Sequence, residues 1–190
     1  MAADGLFVGV WSSDPSDPQK RVTTLPGYFR PTKQWDFVVV SNSQLVAAIE
    51  LKSQVGSYGN NFNNRSEESI GSAHDFWTAY REGAFGKGPQ PFLGWLMLVG
   101  DAPKVHKPVK TAEPHFAVDP VFDGASYAQR YHLLCRRLIE EKLYTAACLL
   151  LSPESAKKSG ASESVEALTS IRQFCAGFAG SVASAAASSS

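Results

Sequence analysis

Asp36, Glu50 and Lys52 are the residues of this chain whose types and spacing could do chemistry; they stand in Trp35-Asp36-Phe37-Val38-Val39-Val40 and Ile49-Glu50-Leu51-Lys52. Two carboxylates and a lysine gathered on one β-hairpin suit a magnesium-dependent phosphodiesterase. Mg²⁺ prefers oxygen ligands and keeps several waters, so Asp36, Glu50 and a phosphate oxygen can fill its coordination sphere together with water. The ion would polarise the phosphate and acidify a water, while Lys52 would orient that water or stabilise charge growing on the phosphorus oxygens.

The pattern around these residues predicts how they meet. Residues 37–40 and 45–51 are β-branched and apolar runs, separated by Ser41-Asn42-Ser43-Gln44, a turn-favouring stretch. Folding about Asn42 and Ser43 sets Asp36 opposite Ile49 or Glu50, with the two backbones roughly 4.8 Å apart. Alternation along the strand sends Glu50 and Lys52 to one face and Ile49 and Leu51 to the other, so the expectation is a charged outer face and an apolar face toward the core. By spacing alone, a solvated Glu and Lys on an amphipathic hairpin produce the same pattern.

The flanking sequence is more particular. Leu25-Pro-Gly-Tyr-Phe-Arg30-Pro-Thr-Lys33, Trp35-Asp36, Glu50-Leu51-Lys52-Ser53-Gln54-Val55-Gly56 and Gly59-Asn60-Asn61-Phe62-Asn63-Asn64-Arg65 are followed by His74-Asp75-Phe76-Trp77-Thr78-Ala79-Tyr80-Arg81-Glu82-Gly83-Ala84-Phe85 and Gly94-Trp95-Leu96-Met97-Leu98-Val99. Together they resemble the XhoI-type restriction endonucleases, over about residues 24 to 178. The resemblance implies an α/β fold with a restriction-endonuclease-like PD-(D/E)XK core, a mixed β-sheet flanked by helices. It implies a type II restriction endonuclease cutting double-stranded DNA at the palindrome CTCGAG with Mg²⁺, inside a restriction-modification system with a cognate DNA methyltransferase. The superfamily's catalytic Asp, Glu and Lys fall on Asp36, Glu50 and Lys52, with Asp36 and Glu50 as metal ligands. Trp35 replaces the usual proline before the aspartate.

A palindromic site suits a two-fold symmetric homodimer, each subunit cutting one strand. Residues 1–22 depart from the family's pattern, in which a helical segment precedes the Leu-Pro-Gly-Tyr-Phe-Arg motif. That departure leaves open a second reading, a catalytically inactive remnant that binds DNA or dimerises. A repair or recombination nuclease of the same superfamily is a third; the Asn-rich segment and the length of the likeness favour site-specific cutting.

Base reading is assigned to the Asn-rich segment. Asn pairs bidentately with adenine and Arg with guanine in the major groove, so Asn60, Asn61, Asn63, Asn64 and Arg65 are expected on a recognition loop, with Gln54 and Tyr58 as further candidates. Lys20, Arg21, Arg30, Lys33 and Arg65 are candidates for a local positive surface. Such a surface is needed because 18 basic and 18 acidic side chains leave the whole chain with a formal charge of zero, unlike a generic DNA-coating protein.

The expected organisation is a divergent segment over 1–22, a single endonuclease domain over 23–182 and a frayed Ala/Ser tail over 183–190. A chain of 190 residues that is 44% hydrophobic can bury a substantial core. No apolar run reaches the roughly 20 residues of a membrane span, and the start lacks a signal peptide's basic and apolar segments, which suggests an intracellular, cytoplasmic protein.

Helices are expected over 66–83, capped by Ser66 with Glu67 and Glu68 in its first turn, and over 127–142. A last helix is marked by Leu168, Ile171, Cys175, Phe178 and Val182. Residues 92–99 read as a buried strand, 144–151 as a second one with a helix as the alternative, and 100–124, with four prolines, as a long loop that could wrap DNA. Cys135, Cys148 and Cys175 are odd in number and widely spaced, so they read as reduced core residues. His74, His106, His115 and His132 show no metal-ligand spacing.

Overall fold

The computed structural model describes residues 6–10, 22–86, 88–113 and 115–188. Its centre is a six-stranded mixed sheet in the order β1-β4-β5-β6-β7-β8, with β1 Leu6–Val10, β4 Phe37–Ser41, β5 Gln44–Gln54, β6 Phe92–Asp101, β7 Ala146–Pro153 and β8 Glu163–Ser164. A separate two-stranded hairpin is formed by β2 Thr24–Pro26 and β3 Thr32–Gln34. The strands β5, β6 and β7 run parallel, joined by α1 Tyr58–Arg81 and α2 Tyr127–Glu140; β1, β4 and β8 pair antiparallel to their neighbours. The mixed sheet flanked by helices is the α/β architecture expected from the sequence.

The hairpin β4–β5 turns on Asn42 and Ser43, both left-handed at φ 48° and 62°. Two consecutive left-handed residues match the right-handed twist of the strands they join. Pairing runs Phe37 to Ile49 and Val39 to Ala47, then shifts so that Val40 meets Leu45. The bulge places Val46 and Ala47 on the same face and thereby sets Ala48, Glu50, Lys52 and Gln54 toward α1 and α2.

Both faces of the sheet are covered. On one side α1 and α2 pack Ala73, Phe76, Tyr131, Leu134 and Leu138 against Val38, Ala48, Trp95 and Met97. On the other, α3 Ile171–Ser188 lays Phe174, Phe178, Val182 and Ala185 over Val39, Ile49, Phe92 and Cys148. A parallel strand enclosed this way is apolar on both faces. The expected division of β5 into a solvated charged face and a core face is therefore corrected: Glu50 is 4% exposed, whereas Leu51, beyond the reach of α3, is 48% exposed. A Cβ on Gly94 would lie 2.7 Å from the Phe174 ring, so glycine permits α3 to approach β6.

Helix α1 begins at Tyr58, eight residues before the expected Ser66 cap, and takes in the whole Asn-rich segment. Its Ser57 cap is left-handed and makes no side-chain capping bond. Gly59 and four asparagines are poor helix formers, and packing overrides them. The Tyr58 hydroxyl donates to Gly100 O at 2.7 Å, and the Phe62 ring meets Tyr131 edge-on at 5.2 Å. Glu67 and Glu68 consequently lie in the interior of the helix. Helix α2 starts at the expected place because Ser126 and Gln129 form a reciprocal capping box.

Three further expectations change. The Ala/Ser run continues α3 to Ser188 instead of fraying from 183, because Ala185 still packs against the sheet. The buried stripe of α3 is led by Phe174, and Leu168, Ile171 and Cys175 are exposed. Cys135 and Cys148 are core thiols as expected; burial pushes Cys148 up to about 12 and raises Cys135 further. The segment 100–124 is mostly irregular, interrupted by short 3₁₀ turns at Pro103–His106 and Pro120–Phe122. Strand β1, which pairs with β4, is an element the reading of residues 1–22 did not anticipate. Among the described residues no helix is long and apolar enough to cross a membrane.

Candidate active site

Asp36 and Glu50 meet where β4 begins. The Asp36 amide donates to Ile49 O at 3.2 Å, and its Oδ2 accepts the Leu51 amide at 2.7 Å. Two backbone bonds thus fix the aspartate across from Glu50, as the hairpin pattern predicted. Burial raises the Asp36 carboxyl above its ordinary value; the Leu51 amide opposes that rise and the nearby Glu50 carboxylate adds to it.

Lys52 and Glu50 share a face of β5, and the Lys52 ammonium lies 2.5 Å from Glu50 Oε1. A second cation comes from elsewhere. Lys33, on β3, places its Nζ 2.9 Å from Glu50 Oε2 and 4.8 Å from the centre of the Trp35 ring. Lys33 was expected on a phosphate-facing surface; instead its side chain is largely covered and turned toward the carboxylate. The hairpin that carries it is anchored by the Trp35 amide donating to Thr23 O at 2.9 Å and by the Trp35 ring meeting Phe76 edge-on at 5.4 Å.

The donor set fits a hard divalent cation. Glu50 Oε2 is buried and lacks an aligned hydrogen bond, although Lys33 sits close to it. A buried carboxylate oxygen is costly in free energy unless a cation approaches it, and in the metal-free protein Lys33 supplies that charge. Among the described residues no group of three or more His, Cys, Asp and Glu side chains gathers. One or two carboxylates, completed by water and a phosphate oxygen, are what Mg²⁺ accepts, whereas a structural zinc site needs four protein ligands.

The other candidate residues fall in three places. Asn60, Asn63 and Asn64 are exposed on the first two turns of α1, and Asn61 donates to Ser57 O at 3.0 Å. Arg65 pairs with Glu68 at 2.5 Å. Gln54 and Tyr58 are both buried, Gln54 donating to Gly56 O and Tyr58 to Gly100 O. Lys20 and Arg21 lie outside the described residues. His74 is exposed and stacks on Phe29, while His106 and His132 pair with Asp101 and Glu166.

Two contacts escaped the reading of the sequence. Lys33 has no spacing rule that ties it to Glu50, because the contact depends on how β2–β3 docks. Asp75, on α1, is buried and accepts three bonds from the tip of that same hairpin. An aspartate immediately before the apolar pair Phe76-Trp77 was the one available signal.

Comparison with known proteins adds the lineage. The family model described as restriction endonuclease XhoI matches residues 12–164. The chain belongs to the XhoI restriction endonuclease family. The matched region contains Lys33, Asp36, Glu50 and Lys52. The type II restriction enzyme BstVI of Geobacillus stearothermophilus is 58% identical over 134 residues, which is 67% of this chain and 60% of that protein. The type II restriction enzyme XhoI of Xanthomonas vasicola is 60% identical over 117 residues, 61% of this chain and 47% of that protein. AbrI of Azospirillum brasilense, also a type II restriction enzyme, is 66% identical over 100 residues, 52% of this chain and 45% of that protein. The chain thus spans about half the length of these relatives. No solved structure matches it significantly.

Proposed function

We propose that this chain is a site-specific endonuclease that hydrolyses phosphodiester bonds of double-stranded DNA, with CTCGAG as its site and Mg²⁺ as its cofactor. The observation that carries the reading is the meeting of Asp36, Glu50 and Lys52 on one hairpin in a member of this family. The two-carboxylate hairpin beside a parallel strand supports a PD-(D/E)XK core.

In this reading Asp36 and Glu50 hold the ion. When bound, it supplies positive charge against the phosphate and makes water more acidic. Lys52 stabilises the negative charge that grows on the phosphate oxygens, a preorganised role because Glu50 already fixes its ammonium. Lys33 orients Glu50 through its contact with Oε2. Water attacks phosphorus opposite the leaving 3′ oxygen; the new phosphorus–oxygen bond forms as the old one breaks, the water releases one proton to solvent and the departing 3′ oxygen takes one up from solvent. Asn60, Asn61, Asn63, Asn64 and Arg65, on one end of a rigid helix rather than a loop, supply the base contacts. The enzyme works as a homodimer on its palindrome, and a cognate methyltransferase protects host DNA.

The test is incubation of a linear duplex bearing one CTCGAG with Mg²⁺, beside a scrambled duplex and the Glu50→Ala protein. Two discrete fragments from the intact site with the unmodified protein alone support the proposal. Equal cutting by Glu50→Ala, or no cutting by a folded unmodified protein, overturns it.

A further inference from the structure

The tip of the β2–β3 hairpin is held chiefly by one buried side chain, Asp75, with a longer contact from Arg30 to Ser72. Asp75 Oδ1 accepts the Tyr28 and Phe29 amides, each at 2.8 Å, and its Oδ2 accepts Arg30 Nε at 2.7 Å. A Cβ on Gly27 would lie 2.7 Å from both Asp75 Oδ2 and the Arg30 carbonyl oxygen, so the tip is closed onto the carboxylate with no room to spare. Burial alone would raise the Asp75 carboxyl, but the bonds from Phe29, Arg30 and Tyr28 together hold it below its ordinary value.

This clamp presents rather than buries its cargo. Tyr28 and Phe29 are 54% and 66% exposed, an unusual outlay of aromatic surface for a rigid tip. The Arg30 side chain is 42% exposed: its Nε donates to Asp75 Oδ2 and one terminal nitrogen reaches Ser72 Oγ at a long 3.5 Å, which leaves further guanidinium N–H groups for an incoming acceptor. The same hairpin delivers Lys33 to Glu50 three residues later, so Arg30 and Lys33 are separated by no more than about 10 Å of chain. A duplex whose scissile phosphate sits at Glu50 therefore has a further backbone phosphate within reach of Arg30.

Resting on the nuclease reading above, we propose that the β2–β3 tip is a DNA-contacting finger, with Arg30 binding a backbone phosphate next to the cut and Asp75 acting as the positioning residue that aims it.

The two oxygens of Asp75 allow a clean test. Asp75→Asn keeps one acceptor for the Tyr28 and Phe29 amides but sets an amide donor against Arg30 Nε, which releases the guanidinium. Binding is measured by fluorescence anisotropy of a labelled CTCGAG duplex in EDTA across a potassium chloride series. Each lost phosphate contact lowers the slope of log affinity against log salt by about 1. The expected result is that Arg30→Gln loses about one unit of slope and that Asp75→Asn binds more weakly too. The second outcome has a decisive sign, because deleting a negative charge near DNA strengthens binding when the residue does not aim Arg30. Tighter binding by folded Asp75→Asn, or an unchanged slope in Arg30→Gln, overturns the finger. If Asp75→Asn does not fold, the Arg30→Gln slope alone decides. No duplex binding by the unmodified protein overturns the nuclease reading as well; normal binding with indifferent variants overturns the finger alone.

Discussion

Lys33 reaches Glu50 from a different hairpin, its Nζ 2.9 Å from Oε2, while Lys52 on Glu50's own strand takes Oε1 at 2.5 Å. One buried carboxylate thus faces two cations, and only Lys52 shares its strand. Lys33→Met leaves Oε2 without its counter-charge, at a cost of about 1–3 kcal/mol. At about 2–4 °C per kcal/mol for a chain of this size, melting should fall by several degrees in metal-free buffer. The loss should shrink in excess Mg²⁺, because an ion that binds only the folded state restores the missing charge. Calorimetry with and without Mg²⁺ checks this, and a deficit that Mg²⁺ leaves untouched would count against Glu50 as the carboxylate that holds the proposed ion.

Lys52 has the opposite profile. It is partly exposed and adds little to stability beyond its pairing with Glu50. Lys52→Ala should retain the melting temperature within a few degrees and bind the CTCGAG duplex, while cleaving it about 10²–10³ times more slowly, the usual cost of removing one preorganised group that stabilises transition-state charge. Single-turnover cleavage compared with binding separates the two. A rate within threefold of the unmodified protein would remove Lys52 from the chemistry.

The pairing of the β4–β5 hairpin was legible because its information is local: Asp36, Glu50 and the Asn42-Ser43 turn lie within one short run whose alternation dictates register. What the alternation could not tell was which face meets water. That depends on α3, whose Phe174 lies more than a hundred residues away and covers Ile49 but not Leu51. The Asn-rich segment misled for a related reason. Gly59 and its asparagines have the composition of a loop, and they become helix only because Tyr58 and Phe62 are anchored on Gly100 and Tyr131. Lys33 and Asp75 were hidden because their roles arise from one docking event, the β2–β3 tip closing on α1.

That override makes a prediction of contrary signs. Asn60, Asn63 and Asn64 are exposed in α1, where Asn is less favourable than Ala by up to about 0.7 kcal/mol each. The triple change to Ala should raise the melting temperature. It should at the same time lower discrimination between CTCGAG and single-mismatch duplexes, each lost bidentate contact being worth about 1–3 kcal/mol. Thermal melts and competition binding on one preparation read both. Higher stability with undiminished discrimination would take base reading away from these three residues.

Acid titration distinguishes the two aspartates by sign. Asp75 is held below its ordinary value of 3.8 by the tip amides and Arg30, so it binds a proton less readily folded than unfolded. Its contribution to stability is fully present above 3.8 and is lost as pH falls through the lower, folded value. Asp36 is raised above 3.8, chiefly by burial, so in the folded state it takes up its proton first and acidification favours the fold at that position. Urea unfolding from about pH 2 to pH 5 should therefore show a steep acid loss that Asp75→Asn flattens, since the substituted side chain no longer titrates. Asp36→Asn should steepen it slightly by removing the opposing term. An Asp75→Asn protein whose stability still falls along the unmodified curve would place the acid-sensitive group elsewhere and weaken the case for a clamp at the hairpin tip.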